Sequence, residues 1–123
     1  MFMDMMALRR RIMMQSAEED SNLFDLSSLV SGTLDGYGNL VPNSKRRTTG
    51  FITLKPGTYS LSRARYVDWW KCYKYTMNES YFGAFFNNTS LTNTFNVEEE
   101  MKIRISFDYI PTVEDNIQLI KTS

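Results

Sequence analysis

Lys102-Ile103-Arg104-Ile105-Ser106-Phe107-Asp108-Tyr109 is the stretch that decides the fold. Ile103, Ile105, Phe107 and Tyr109 alternate with Lys102, Arg104, Ser106 and Asp108. In an extended chain, successive side chains point to opposite sides, so this pattern puts one apolar and one polar face on the same strand. That is the mark of an antiparallel strand half-buried against a core. Working outward, residues 116–120 read as a last strand after Pro111 and the acidic pair Glu114-Asp115. Upstream, residues 81–86 and 65–75 are aromatic strand candidates separated by the polar turn Met77-Asn78-Glu79-Ser80. Residues 48–54 are rich in Thr, Ile and Phe, and Lys55-Pro56-Gly57 then turns the chain into Thr58-Tyr59-Ser60-Leu61. Pro followed by Gly suits a type II turn, which makes this a hairpin-like corner. Asp35-Gly36 and Gly38-Asn39 mark turns between apolar residues, and Leu23-Phe24-Asp25-Leu26 is a further short strand. Roughly eight short strands at close spacing, with no long amphipathic helix, predict an all-β antiparallel sandwich or barrel.

Composition narrows the function. The 123 residues suffice for one domain, and 14 Lys+Arg balance 14 Asp+Glu, so the total charge implies no polyelectrolyte partner. Hydrophobic residues at 42% and charged residues at 23% exclude a disordered chain. The chain has no histidine, which removes the commonest general base, the usual metal ligand and the Ser-His or Cys-His pairs. A single cysteine, Cys72, excludes an internal disulfide, a zinc knuckle and a CxxC redox pair. No Gly-rich phosphate loop precedes a helix, and the consecutive Glu98-Glu99-Glu100 would diverge rather than converge on calcium. The expectation is a non-enzymatic protein with no cofactor and no metal. No signal-peptide apolar run or membrane span is read, so cytoplasmic synthesis is expected.

The opening residues differ from the body. Six of the eight methionines lie in the first 14 residues, followed by Glu18-Glu19-Asp20. Residues 1–20 are read as an arm and 21–123 as the sandwich. Residues 7–15 are good helix formers, and Leu8, Ile12 and Met13 share a stripe beside Arg9, Arg10 and Arg11. Two readings stand: a frayed terminus, or an arm whose adaptable methionines dock into a neighbouring subunit.

A family resemblance rests on the order of several short pieces. These are Leu54-Lys55-Pro56-Gly57-Thr58-Tyr59, Lys102-Ile103-Arg104-Ile105 and Ile117-Gln118-Leu119, after an Asn22-Leu23-Phe24-Asp25 opening and an Asp35-Gly36-Tyr37-Gly38-Asn39-Leu40 turn. Residues 22–121 resemble the jelly-roll, carbohydrate-binding-module-like domains of bacteriophage tail, baseplate and other virion proteins of Firmicutes. The aromatic, basic stretch Val67-Asp68-Trp69-Trp70-Lys71-Cys72-Tyr73-Lys74-Tyr75 departs from that pattern. The resemblance implies a jelly-roll virion protein on tail, baseplate or capsid surface, with other virion proteins and further copies of itself as partners. It also implies that an exposed aromatic among Trp69, Trp70, Tyr73 and Tyr75 touches a host-surface glycan or a partner.

Residues 45–74 carry eight bases against one acid, and residues 75–123 three bases against seven acids. Bases interleaved with Tyr59, Tyr66, Trp69, Trp70, Tyr73 and Tyr75 would suit stacking of single-stranded nucleic acid, against the commoner alternative that such rings are core. The same rings would stack on sugars. Complementary basic and acidic regions would pair between copies or within one chain. The primary expectation is a virion structural protein held by its arm. Glycan recognition comes second, nucleic-acid binding third, and no membrane role is expected.

Overall fold

In the computed structural model, which describes residues 22–64, 69–109 and 116–123, the alternating stretch becomes the central strand of the larger of two sheets. The proposed arm contacts Leu8, Arg9, Arg10, Arg11, Ile12 and Met13 lie outside the described residues, as do Arg65, Tyr66, Val67, Asp68, Pro111 and the pair Glu114-Asp115. The strands are β1 (Val30–Ser31), β2 (Thr33–Leu34), β3 (Leu40–Val41), β4 (Arg46–Thr48), β5 (Ile52–Leu54), β6 (Gly57–Ser62), β7 (Trp70–Tyr75), β8 (Tyr81–Asn88), β9 (Thr92–Val97), β10 (Met101–Asp108) and β11 (Gln118–Lys121). The larger sheet runs β1-β4-β10-β7-β8, with β5 also on β10. The smaller runs β11-β6-β9, and β2-β3 is a separate hairpin. Every pairing is antiparallel. The two sheets pack as a β-sandwich.

Ile103, Ile105 and Phe107 enter the core between the sheets, where Trp70 and Cys72 of β7 join them. The smaller sheet supplies Tyr59, Leu61, Phe95, Val97 and Leu119. Phe85 stacks on Phe95 with ring centroids 4.5 Å apart, which ties β8 to β9 across the layers. Burial of such side chains, each contributing about 1.5–3 kcal/mol, is the main term holding the layers together.

Eleven strands lie among the described residues against the roughly eight expected, and one of the extra ones arises because a single line of chain is broken. β4 and β5 both lie along β10 and are interrupted at Thr49, Gly50 and Phe51. There the Thr49 amide donates to the Ile105 carbonyl, and the Thr49 hydroxyl accepts from the Ile105 amide, both at 3.0 Å. A side chain thus completes the ladder where the backbone has left it.

Two local expectations are corrected. Leu23-Phe24-Asp25-Leu26 is not a strand, because Asp25 accepts from the Ser27 amide and caps a 3-10 turn at Leu26–Ser28. Asn22 anchors this segment, accepting from the Leu119 and Phe24 amides and donating to the Ile117 carbonyl, so Phe24 reaches the core. The Lys55-Pro56-Gly57 corner is not a hairpin, since it carries the chain from β5 in the larger sheet to β6 in the smaller. Gly57 has φ +153° rather than the roughly +80° of a type II turn. A Cβ there would lie 2.6 Å from the Ser123 carbonyl oxygen, so glycine is needed for the close approach.

Candidate functional site

The four aromatic candidates occupy three different environments. Trp70 is fully buried between the sheets, edge-on to Phe86, and its indole N–H donates to the Ser90 carbonyl at 2.7 Å. Tyr73 and Tyr75 point to the opposite face of β7, yet each is only 2% exposed. The β2-β3 hairpin lies over them and forms a second small core with Leu34 and Tyr81. Their hydroxyls donate to the carbonyls of Leu34 (2.8 Å) and Gly38 (2.7 Å). Burial, which disfavours the phenolate, raises both phenols to about 12. Trp70, Tyr73 and Tyr75 are therefore packing residues, because β7 is covered on both faces. Trp69 remains partly exposed. Its indole N–H donates to Asn87 at 2.6 Å, and the Arg46 guanidinium lies 4.0 Å over its ring while pairing with Asp108 at 3.0 Å.

The basic middle is arranged around rings of the same chain. Arg47 covers Tyr109 at 4.2 Å, Lys71 covers Tyr73 at 4.5 Å, and Lys74 stands 5.0 Å from both Phe82 and Phe85. Arg63 is nearly buried, 4.9 Å over Phe107, and donates to the Asp108 carbonyl. Each such cation–π contact stabilises the fold by about 0.5–1 kcal/mol and occupies a ring face that a nucleobase would need.

Two open grooves flank this packed centre. The first, about 530 Å³, sits where the hairpin tip meets the sheet. Asp35 organises the tip, accepting from the Tyr37 and Asn39 amides, and leaves the Tyr37 ring 80% exposed. Gly38 has φ +78°, and a Cβ on it would lie 2.8 Å from the Tyr81 ring. Phe51 lies edge-on to Tyr75 at 4.9 Å, beneath the Arg104 guanidinium. Asn39 and Glu79 complete the rim, with Glu79 accepting from Lys102 at 2.8 Å. The groove thus offers ring faces beside an amide, a guanidinium and a carboxylate. The sequence reading missed Tyr37, Phe51 and Arg104 as groove residues; a tyrosine between two turn glycines was the available signal.

The second groove, about 690 Å³, opens at one end of the sandwich. Phe82, Phe85, Met77 and Met101 give it an apolar lining, with Lys74 and Glu98, Glu99 and Glu100 around it. Among the described residues no cluster of His, Cys, Asp or Glu has the arrangement of a metal site. Cys72 is buried in the core, and burial pushes its thiol far up despite the opposing field of Lys74.

No family model matches the chain, no curated protein matches it, and no solved structure matches it.

Proposed function

We propose that this chain is a non-enzymatic structural protein of a phage or prophage virion, on tail, baseplate or capsid surface, built as a jelly-roll and assembling with copies of itself and other virion proteins. The observation that carries the assembly part of this reading is the open side of the sandwich. Among the described residues β8 pairs with β7 alone and β9 with β6 alone, so two strand edges lie unpaired on the same side. Residues 80–97 contain no charged side chain. Proteins that stay monomeric usually blunt such edges with lysine, proline or inward charge, whereas an uncharged, aromatic edge favours strand or sheet partners. The jelly-roll part is supported by the path of the chain: between β5 and β11, only the β7-β8 hairpin returns within its own sheet. The virion setting rests on the family resemblance of residues 22–121.

Mass spectrometry of purified particles, with copy number per particle, tests this reading. Stoichiometric presence is expected, in few copies for a tail tip and many for a capsid decoration. Complete absence from clean particles, with the protein abundant in infected cells, would overturn it.

A second reading has its own observation. The hairpin-tip groove sets the exposed Tyr37 ring beside Phe51, Asn39 and Arg104, a combination that stacks on and hydrogen-bonds to a sugar. On this reading the domain recognises a host-surface glycan, at the hairpin tip rather than at the Trp69-to-Tyr75 stretch. Soluble oligosaccharide should then shift the amide resonances of Tyr37 and Asn39, and a Tyr37→Ala variant should lose the shift.

A further inference from the structure

We propose that the groove beside Glu98, Glu99 and Glu100 is the docking site of the N-terminal segment Leu8-Arg9-Arg10-Arg11-Ile12-Met13-Met14, an inference that rests on the assembly reading for its biological role. Phe82 is 48% and Met77 43% exposed, so the lining presents apolar side chains to solvent. Glu98, Glu99 and Glu100 are exposed, and among the described residues none of them makes an ion pair. Lys74 lines the same groove, but its ammonium is held over the Phe82 and Phe85 rings. Three adjacent carboxylates without an ion pair repel one another, and an incoming cation relieves that repulsion.

The segment that matches this surface is in the same chain. It carries three consecutive arginines, whose forked guanidiniums pair well with carboxylates, between Leu8 and Ile12-Met13-Met14. Methionine is unbranched and adapts to an irregular apolar floor.

Reach is sufficient. Asn22 is fixed to Leu119, which pairs with Leu61, and Asn96 at the groove pairs with Thr58. Crossing three strand spacings and three residues of β6 covers about 17 Å, while the eight residue steps from Met14 to Asn22 extend to about 26 Å. The groove of the same chain is within range.

Disulfide trapping in the full chain tests the docking. The pair Ile12→Cys and Met77→Cys brings a thiol on the arm to one on the groove, while Cys72, fully buried, does not compete. Trapping is expected to run about tenfold faster than for the control pair Ile12→Cys and Leu40→Cys, whose second site lies on the hairpin. Reversal of Arg9, Arg10 and Arg11 to Glu should abolish that advantage, and the further reversal of Glu98, Glu99 and Glu100 to Lys should restore it. The reversed positions on the sandwich are exposed, and unchanged circular dichroism verifies that each variant folds. Equal rates at the two sites, or a rate indifferent to charge reversal, would overturn the proposal. A trapped dimer supports docking between copies; a cross-link within one chain supports docking and takes the arm out of assembly. Absence from particles would remove the assembly reading while leaving a positive trapping result intact.

Discussion

The Tyr75 hydroxyl donates to the carbonyl of Gly38 at 2.7 Å, across 37 residues of sequence, and so fastens the tip of the β2-β3 hairpin to the outer face of the larger sheet. Tyr73 does the same for Leu34. At the other end of the hairpin a hydroxyl chain helps: Thr33 bonds Ser106 at 3.0 Å, Ser106 bonds Thr48 at 2.9 Å, and Thr48 donates to the Gly32 carbonyl. The hairpin is held by buried polar contacts laid over an aromatic floor.

Replacing Tyr75 with Phe keeps the ring and leaves the Gly38 carbonyl without its partner. The expected cost is about 1–2 kcal/mol, read as a lower urea midpoint. Amide exchange of residues 32–41 should accelerate while that of β10 stays slow, because the hairpin is released before the core opens.

Alkaline pH should loosen the same region. Tyr73 and Tyr75 are held near 12, whereas an unfolded tyrosine ionises near 10, so between those values the folded state binds more protons than the unfolded state. Stability from these groups is complete below pH 10 and is lost as pH rises toward 12. Urea midpoints measured from pH 9 to 12 should fall, and the Tyr73→Phe, Tyr75→Phe double variant should show a shallower decline from its lower start.

Adjacent tryptophans should respond very differently to truncation. Trp70→Ala empties the centre of the core and is expected to cost about 3–5 kcal/mol, a large share of a small domain's stability. Trp69→Ala removes one cation–π contact with Arg46 and an exposed hydrogen bond to Asn87, worth about 1 kcal/mol. Chemical denaturation of the two variants separates these outcomes, and similar losses would contradict the placement of the two rings.

Cys72 should be inert until the sandwich opens. Burial strips its thiol of access and of thiolate character, so thiol reagents at pH 8 should label it only at the rate of opening. Labelling in native buffer should be slow and should become complete in urea. Cys72→Ser, which puts a hydroxyl into the apolar core, should lower stability by about 1–3 kcal/mol.

How far the sequence could be read depended on what covered each strand. In β10 one face meets the core and the other is polar, so the alternation from Lys102 to Asp108 announced both strand and facing. In β7 the period is masked, because Trp70 and Cys72 enter one core while Tyr73 and Tyr75 enter another. A strand covered on both sides carries large rings on each face and looks, in one dimension, like an exposed binding strip. Leu23-Phe24-Asp25-Leu26 has strand composition, but the Asp25 cap and the Asn22 clamp on Leu119 set its shape. The hairpin-tip groove was hidden for a related reason: Tyr37 stood out only as a turn residue, and Phe51 and Arg104 reach the groove from different strands.

By itself the sequence determined the all-β class, the facing of β10 and the lack of any histidine-based chemistry, since these follow from local period and residue inventory. Tertiary structure alone decided which aromatics are accessible. The covering of a ring is a long-range event: residues 32–41 return over Tyr73 and Tyr75, and Arg46 crosses to Trp69, with nothing in the local pattern to mark either contact. The same folding that buries those rings leaves Tyr37 and the Glu98-to-Glu100 turn at the surface.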